Sequence, residues 1–342
     1  MLKATDIKRY FVTELYPGAR YTAGVLREDI ETVLLKSGYE KLETFPASSN
    51  LLSRILAYQK VRKMSINKLM TPACVFFHFP VRSRVNRYFF SLLNKNGIKT
   101  IAYVHDFEGI RDKDKKLLKK EFRQLKQFNI IIAQNRLMKE LIERETANKN
   151  VIELKMYDYL GVPEPVDQPS PKGPIIFAGN LEKASFISQL HNIPSLEFHI
   201  YGESTPASTA PNIHYKGKKD PRTLPPVIAK DGSYGLVWDG TSIQAGLDAG
   251  DYLRINTPHK LALYIMAGLP PIVWNESAMA GWVQQQQIGI AVSSLYDLKQ
   301  RLEGITENEY RNFQENMKGI RRNMAVGYYL NKAINIAEQL LD

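Results

Sequence analysis

The sequence predicts an α/β protein built from two doubly wound parallel-sheet domains. Short apolar, β-branched or aromatic segments alternate with helical patterns along nearly the whole chain. Because the strand-like segments are continuously apolar, they are typical of parallel strands that helices cover on both faces. Strand–helix–strand alternation in turn favours right-handed crossovers and a doubly wound sheet. At 342 residues, the chain also exceeds one ordinary core and fits two domains of about 150 residues each.

The first domain is predicted over residues 1–162. Its strands are predicted at 10–15, 74–79, 100–105, 129–133 and 151–155. Its helices are predicted at 24–36, 51–68, 84–94 and 113–126. The last of these helices is strongly basic, but its leucines and Phe122 recur at helical spacing, which indicates an amphipathic helix with its charges in water.

A segment at 161–174 holds five prolines and interrupts the alternation, so we interpret it as a semi-rigid linker between domains. The second domain is predicted over 173–324, with the final helix, 325–342, free to pack back on the first domain. Its strands are predicted at 175–178, 197–201, 213–215, 235–238, 271–274 and 288–292. Its helices are predicted at 257–267, 277–286, 295–302, 307–323 and 326–341. Two such Rossmann-like domains are expected to face each other across a cleft, with ligands at the carboxyl ends of their strands.

Composition narrows the class of protein. Hydrophobic residues make up 44% and charged residues 24% of the chain, which is ordinary for a globular protein. Cys74 is the only cysteine and sits in an apolar segment, so no intrachain disulfide can form and we interpret it as a core residue. With no signal-peptide pattern and no apolar stretch of membrane-spanning length, we expect a cytoplasmic protein, peripheral at the inner face of the plasma membrane at most.

The net charge of +11 is unevenly distributed. Residues 1–160 hold 30 Lys and Arg against 17 Asp and Glu, a balance of +13, and residues 161–342 hold 16 against 18, a balance of −2. Such a field attracts nucleic acid, acidic lipid or a pyrophosphate-linked acceptor, although a merely solubilising surface explains it equally well. No recognition motif supports nucleic-acid binding, which we do not expect.

Two motifs point to a phosphate-containing ligand in the second domain. Where its first strand ends, Gly179 permits close backbone approach, and Asn180 and Lys183 offer an amide and a mobile cation. The alternative interpretation of this motif is a tight turn between strand and helix.

The second motif is the start of the helix predicted at 257–267. Thr257 is the expected N-cap and Pro258 the first helical residue. Lys260 in the first turn is unfavourable beside the positive end of the helix dipole unless an anion is bound there. The free backbone N–H groups of such a terminus suit a pyrophosphate.

Several segments carry a resemblance to a known family. Residues 235–240, 250–260 and 288–292, with Val104-His105-Asp106 and Gln134-Asn135 in the first half, resemble bacterial β-1,6-galactofuranosyltransferases of surface-polysaccharide synthesis. They are similar, less closely, to the glucosyltransferases that extend N-acetylglucosamine on serine-rich-repeat adhesins. The resemblance covers about residues 70–300, and the loop at 18–24 also resembles an N-terminal turn of that family that bears glycine and threonine. It implies the GT-B fold, a UDP-sugar bound by the C-terminal domain and an acceptor bound mainly by the N-terminal domain.

The resemblance also assigns roles to residues. Asn180 and Lys183 would face the diphosphate, Tyr215 would lie near the nucleotide, and Lys260 would neutralise the β-phosphate. The full set expected on the donor is Gly179, Asn180, Lys183, Tyr215, Asp239, Asn256, Thr257 and Lys260. The set expected on the acceptor side is Arg20, Thr22 and Arg84. Leu263 stands where the large retaining GT-B group has a ribose-binding glutamate, so the chain is not expected in that group.

The expected chemistry needs no metal. Lys260 and a helix N-terminus supply the cation and the donors that a departing diphosphate requires. No Asp-x-Asp follows a strand, and His78, His105 and His259 show no metal-ligand spacing with one another. Asp106, and after it His105, are the candidate general bases for the acceptor hydroxyl, Asp106 being favoured for an inverting reaction. The alternatives are that Asp106 caps a turn and that Asp239 is a turn residue.

The sequence therefore predicts a metal-independent hexosyltransferase. It would move galactofuranose, or next glucose, from a UDP-sugar to a hydroxyl of a glycan in cell-surface polysaccharide or glycoprotein synthesis. The acceptor is expected to be carried on a lipid pyrophosphate, with contact to an anionic membrane and with homo-oligomerisation left open. The alternative is a GT-B-like nucleotide-sugar-binding or regulatory subunit without transferase activity.

Overall fold

The computed structural model describes residues 7–13, 22–42, 51–67, 69, 72–163, 170–204, 210–244 and 250–341. The chain divides into two compact units. The N-terminal unit contains Met1–Arg20, Arg27–Lys155 and Tyr329–Asp342, and the C-terminal unit contains Tyr21–Leu26 and Met156–Tyr328. Of the predicted linker, residues 164–169 lie outside the described residues.

The N-terminal unit is built on a six-stranded parallel sheet in the order β2-β1-β3-β4-β5-β6. Its strands are β1 (Lys8–Val12), β2 (Glu40–Leu42), β3 (Ala73–Phe79), β4 (Lys99–Val104), β5 (Ile130–Ala133) and β6 (Val151–Glu153). Its helices are α1 (Thr22–Lys36), α2 (Leu51–Asn67), α3 (Arg84–Lys95), α4 (Glu108–Arg111), α5 (Lys115–Leu125) and α6 (Arg136–Thr146). The first five residues of α1 are grouped with the C-terminal unit. The final helix, α13 (Tyr328–Gln339), falls almost entirely in this unit.

The C-terminal unit carries a second six-stranded parallel sheet, in the order β12-β11-β10-β7-β8-β9. Its strands are β7 (Ile175–Ala178), β8 (Phe198–Tyr201), β9 (Ile213–Gly217), β10 (Tyr234–Val237), β11 (Pro271–Trp274) and β12 (Ile290–Val292). Its α-helices are α7 (Leu224–Asp231), α8 (Gly250–Leu253), α9 (His259–Ala267), α10 (Ala280–Gln285), α11 (Leu298–Glu303) and α12 (Glu307–Ala325). Short 3₁₀ helices cover Leu181–Lys183, Ser185–Asn192 and Leu295–Asp297.

The predicted class, α/β with doubly wound parallel sheets, is confirmed. Every residue of β3, β5, β7, β10 and β11 is buried, as expected for strands covered on both faces. Cys74 is fully buried, as predicted, and burial raises the pKa of its thiol to about 12. Among the helices described, none has the length and apolar character needed to cross a bilayer.

Element ends differ from the sequence prediction where polar groups decide them. The basic helix starts at Lys115 because Asp114 Oδ1 accepts hydrogen bonds from the N–H groups of Lys116 at 2.8 Å and Leu117 at 3.0 Å. The prediction missed β2, whose Glu40 and Lys41 are exposed and whose length is only three residues. It also missed α4, a single turn after β4.

A buried carboxylate connects α4 to α5. The side chain of Glu121 accepts hydrogen bonds from the N–H groups of Glu108 at 2.9 Å and Gly109 at 3.0 Å. It thereby satisfies the first free amides of α4, at the positive end of that helix. Burial nevertheless raises the pKa of Glu121 to about 7, because the two hydrogen bonds offset only part of the desolvation. Glu121 is thus a titrating group within the fold.

We predict that Glu121 makes stability fall as pH rises from about 4.5 to about 7.5. Its pKa is higher in the folded protein than in the unfolded chain, so the folded state binds the proton more tightly, and the stabilisation present below pH 4.5 is lost through pH 7. The free energy of unfolding of Glu121→Gln, measured in urea, should gain about 1–2 kcal/mol relative to wild type over this range. The exposed Glu145 provides the control Glu145→Gln. The assignment would be contradicted if the free energies of unfolding of wild type and Glu121→Gln differed by the same amount at pH 4.5 and at pH 7.5.

Candidate active site

The C-terminal sheet reverses its strand order between β7 and β10, which lie side by side. Strands on one side of this point continue as β8 and β9, and strands on the other side as β11 and β12. Open α/β sheets bind ligands outside the carboxyl ends of their strands at such a switch point. Gly179 follows β7 here, and Trp238 and Asp239 follow β10. Two of the predicted donor residues are therefore at the place where this fold holds ligands.

Lys260, in the first turn of α9, contacts the loop after β10 and the end of β7 at the switch point. Its Nζ donates to the Trp238 carbonyl oxygen at 2.9 Å and pairs with Asp239 Oδ1 at 2.5 Å. The ammonium group lies 4.8 Å from the centre of the Phe177 ring, within reach of a cation–π interaction. A Cβ at Gly179 would stand 3.0 Å from Lys260 Cε, so a side chain there would crowd the lysine.

These contacts explain how a cation is tolerated at the N-terminus of α9. The positive end of the helix dipole disfavours Lys260, and the Asp239 carboxylate supplies the neighbouring negative charge. An ammonium group carries three N–H donors, of which these two contacts use two. Asp239 is thus the partner of Lys260 in this structure. An anionic ligand could bind the third N–H of Lys260 or take the place of Asp239.

The predicted start of α9 is wrong by one residue. Pro258, with φ −68° and ψ 134°, is the N-cap rather than the first helical residue, and no side chain caps the helix. Thr257 is buried, and its hydroxyl donates to Met279 Sδ at 3.3 Å. The sulfur accepts the hydroxyl that was expected to cap the helix, so the predicted capping role of Thr257 is wrong.

Two side chains at the start of α9 have buried polar atoms without hydrogen-bond partners among the described residues. These atoms are Asn256 Oδ1 and both ring nitrogens of His259. Burial, and after it the charge of Arg222, lowers the pKa of His259 to about 4, so its ring is neutral at pH 7. It stacks on Tyr159 with ring centres 5.5 Å apart. Orphaned buried polar atoms are rare in folded proteins, and a bound ligand is one of their explanations.

Of the remaining predicted donor residues, Asn180 and Lys183 lie on the turn after β7, and Tyr215 lies in the middle of β9. Asn180 caps the 3₁₀ turn that follows β7, accepting from the Glu182 N–H at 2.9 Å, so part of its amide serves the turn. Lys183 is exposed and, among the described residues, pairs with no carboxylate. Tyr215 is 40% exposed, and its hydroxyl donates to the Gly202 carbonyl at 3.0 Å.

A second cluster follows β4 in the N-terminal unit. Nε2 of His105 lies 2.7 Å from Nδ1 of His78, and the two rings stack with centres 4.9 Å apart. Burial, and after it Arg27, lowers the pKa of the buried His78 to about 3, so this partner is neutral. Asp106 forms an ion pair with Arg111 of α4.

The turn-cap interpretation of Asp106 does not hold for α4. The N-cap of that helix is Phe107, and its first amides are bound by Glu121. The Gln134 side chain donates to the His105 carbonyl at 2.7 Å and so fixes the loop that carries His105 and Asp106.

The acceptor-side residues are only partly within the described structure. Arg84 is exposed at the start of α3. Arg82 pairs with Glu108, and Arg87 donates to the Arg82 carbonyl at 2.7 Å, so these two arginines have structural partners. Arg20 and the turn before it lie outside the described residues, and Thr22 begins α1 with its side chain also outside them.

Sequence reasoning missed the residues that hold the site together. Tyr264, on α9, accepts a hydrogen bond from the Ala178 N–H at 2.8 Å, and its ring packs where a Cβ at Gly235 would stand 2.1 Å away. The only signal was Gly235 inside an otherwise bulky strand. Arg111 gave no signal, because its pairing with Asp106 depends on the turn formed by α4.

Comparison with known proteins places the chain in a family. The model described as "Glucosyltransferase 3-like, N-terminal domain" matches residues 9–156, and the one described as "Glucosyltransferase 3-like, C-terminal domain" matches residues 175–337. These matches cover most of the chain.

Two named relatives agree with this assignment. Beta-1,6-galactofuranosyltransferase WbbI of Escherichia coli (strain K12) is 25% identical over 343 residues, covering 97% of this chain and 98% of the relative. Glucosyltransferase 3 of Streptococcus gordonii is 26% identical over 249 residues, covering 72% of each chain.

Among solved structures, the fold is similar to that of HepE from Anabaena in complex with UDP and glucose. The TM-score is 0.60 at 11% sequence identity, over 98% of this chain and 99% of HepE. A likeness at this identity concerns the fold, which is the predicted GT-B fold. The predicted relationship is thus confirmed: the chain belongs to the Glucosyltransferase 3-like family and is a glycosyltransferase of the GT-B fold.

Proposed function

We propose that the chain transfers a hexose from a UDP-sugar to a hydroxyl of a glycan, without a metal ion in the reaction. The donor would bind at the switch point of the C-terminal unit and the acceptor in the N-terminal unit. The product would be a cell-surface polysaccharide or glycoprotein. Galactofuranose is the favoured sugar and glucose the next.

The observation that carries this proposal is the position of Lys260. Its side chain is 15% exposed and starts at the N-terminus of α9, and its ammonium group bonds to the loop after β10 and lies over the Phe177 ring of β7. Backbone N–H groups and the dipole make such a terminus suitable for a pyrophosphate. The orphaned atoms of Asn256 and His259 offer further polar contacts beside it. The diphosphate of a nucleotide sugar fits this combination of groups.

The same groups account for the bond that breaks. Cleavage of the anomeric C1–O bond leaves negative charge on the diphosphate, and preorganised donors near that charge are usually the largest contribution to catalysis. Lys260 would neutralise the β-phosphate, and Lys183, exposed on the neighbouring turn, would supply a second cation. These side chains would do the work that a divalent ion does in metal-dependent transferases.

On the acceptor side, we assign the general base to Asp106, with His105 as the second candidate. A neighbouring guanidinium favours the ionised form of a carboxyl group, which is the form that accepts a proton. Asp106 has Arg111 beside it. Nε2 of His105 is occupied by His78, so His105 would act through its other nitrogen or through His78.

The preference for galactofuranose rests on the extent of similarity. The galactofuranosyltransferase relative aligns with 97% of this chain, and the glucosyltransferase relative aligns with 72%. Identities of 25% and 26% do not separate the two sugars by themselves. The donor therefore has to be measured.

We also propose that the enzyme works at the cytoplasmic face of a membrane, on a lipid-pyrophosphate acceptor. The exposed basic residues of α5 support this, since each cation near an anionic surface contributes about 1 kcal/mol. They are Lys115, Lys116, Lys119, Lys120 and Arg123. Co-sedimentation with anionic vesicles, compared with neutral ones, measures this contact.

The first test is a transfer assay in buffer containing EDTA. With a glycan acceptor, we expect more product from UDP-galactofuranose than from UDP-glucose, because the donor pocket is expected to resemble that of the galactofuranosyl relative. The rate should be unchanged by the chelator, since Lys260 carries the charge compensation. GDP- and dTDP-sugars are the controls.

Activity that collapses on chelation and returns with magnesium or manganese would contradict the metal-free mechanism. Tight UDP binding without transfer to any acceptor would instead favour the alternative of a binding or regulatory subunit. A faster reaction with UDP-glucose would reverse the assignment of the sugar.

The second test replaces Lys260 with alanine. We expect kcat to fall by roughly 30- to 1000-fold, corresponding to about 2–4 kcal/mol of lost transition-state stabilisation. The fold should persist, and circular dichroism checks this. Lys299→Ala, an exposed lysine on α11 of the same unit, is the matched control. Turnover of Lys260→Ala near the wild-type value would remove Lys260 from the mechanism.

A double-mutant cycle with Asp239→Asn separates two roles for Asp239. If Asp239 only positions Lys260, its substitution should have little further effect in the Lys260→Ala background. If Asp239 contacts the donor itself, the two losses in kcat/KM should add.

A further inference from the structure

Three side chains with metal-binding groups meet at the amino ends of β8 and β9. Glu197 immediately precedes β8, His199 is its second residue, and His214 is the second residue of β9. His199 and His214 are paired across the two strands. One possible ligand atom from each of the three side chains lies within 4.8 Å of the other two. This is the only such group of three among the described residues.

Asp231 holds the imidazole of His199 in an orientation suited to a metal. Its Oδ2 lies 2.7 Å from Nδ1 of His199, so that nitrogen carries the proton and Nε2 keeps its lone pair. Metal-binding histidines commonly donate their second ring N–H to a carboxylate in this way. The Tyr201 hydroxyl also donates to Oδ2 at 2.6 Å and the Lys216 ammonium group to Oδ1 at 3.2 Å, so the Asp231 carboxylate is held as a hydrogen-bond acceptor.

The other two ligands are available. Among the described residues, neither the Glu197 carboxylate nor the His214 imidazole has a hydrogen-bond or ion-pair partner, and both residues are exposed. The ring centres of His199 and His214 are 5.3 Å apart at 87°. A tetrahedral zinc ion with bonds of about 2.0–2.2 Å requires ligand atoms roughly 3.4 Å apart. Small side-chain rotations of the two exposed residues would close the present arrangement to that spacing.

We propose that Glu197, His199 and His214 form a binding site for a divalent transition-metal ion of the zinc class. Two imidazoles and one carboxylate are a ligand set that zinc accepts, with water completing the coordination. Lys216, which bonds to the other oxygen of Asp231 at 3.2 Å, is a neighbouring cation that opposes binding. Its ammonium group is directed to Asp231 rather than to the three ligands.

The expected role of the ion is to fasten an edge strand. β9 is the edge strand of its sheet and, among the strands that the structure describes, pairs with β8 alone. A metal bridging His214 on β9 to Glu197 and His199 at β8 would link the two strands by side chains as well as by backbone. Ligand binding to the folded state alone raises its stability by mass action. The site therefore stabilises the strand that also carries Tyr215.

This site is separate from the proposed transfer chemistry. It lies at the amino ends of the strands, whereas Lys260 acts at their carboxyl ends. A metal held by His214 would not contact the departing diphosphate. The proposal for a metal-free reaction and the proposal for this site can therefore fail independently.

The test is zinc titration of the chelator-treated full chain, followed by calorimetry and thermal unfolding. Wild type should bind one zinc ion per chain saturably and gain in Tm. His214→Gln and Glu197→Gln should lose this saturable binding and the Tm gain. Asp231→Asn should weaken binding about 10- to 100-fold through His199. His191→Gln, an exposed histidine of the same unit outside the cluster, should behave as wild type.

His214 and Glu197 are exposed, so their substitution should leave the metal-free Tm unchanged, and this measurement guards against misfolding. Absence of saturable zinc binding by wild type would overturn the proposal. Equal zinc affinity of His214→Gln and wild type would also overturn it, as would an equal loss in His191→Gln.

Discussion

The ion pair between Lys260 and Asp239 is the interaction on which the proposed donor site depends. It joins the N-terminus of α9 to the loop after β10, and the Trp238 carbonyl shares the same ammonium group. A cation at that helix end is unfavourable alone, so it requires a negative neighbour. Asp239 meets this requirement in the structure, and a diphosphate would meet it during turnover. A diphosphate could therefore take over from Asp239 the neutralisation of the Lys260 charge.

The rest of the C-terminal unit serves to place this pair. Parallel strands β7 and β10 are neighbours whose carboxyl ends lie side by side, and the reversal of strand order between them creates the crevice expected for a ligand. Tyr264 anchors α9 to the end of β7 through the Ala178 N–H, and Gly235 leaves room for its ring. The N-terminal unit uses comparable devices: Gln134 fixes the loop of His105 and Asp106, and Glu121 fixes the turn that supplies Arg111.

Much of this architecture could be predicted from the sequence because it depends on patterns within short segments. Strands β3 and β5 are continuous apolar segments in the sequence. Lys260 indicates a ligand because a cation in the first turn of a helix is electrostatically unfavourable. Other features depend on contacts that sequence does not display. Thr257 fits an N-cap locally, but the sulfur of Met279, distant in sequence, takes its hydroxyl. β2 is exposed at two of its three residues and so gives no apolar run. Glu121 could have been noticed as a carboxylate on the apolar face of α5, whereas its partners, the amides of α4, could not.

The most direct measurement of the central claim is a crystal structure of the chain in complex with UDP. The account predicts that a β-phosphate oxygen lies about 2.7–2.9 Å from Lys260 Nζ, with the phosphate at the N-terminus of α9 and Asp239 moved away from the lysine or sharing it. Polar contacts from Asn256 or His259 to the nucleotide should accompany it. UDP bound elsewhere, with the pair between Lys260 and Asp239 unchanged, would contradict the account.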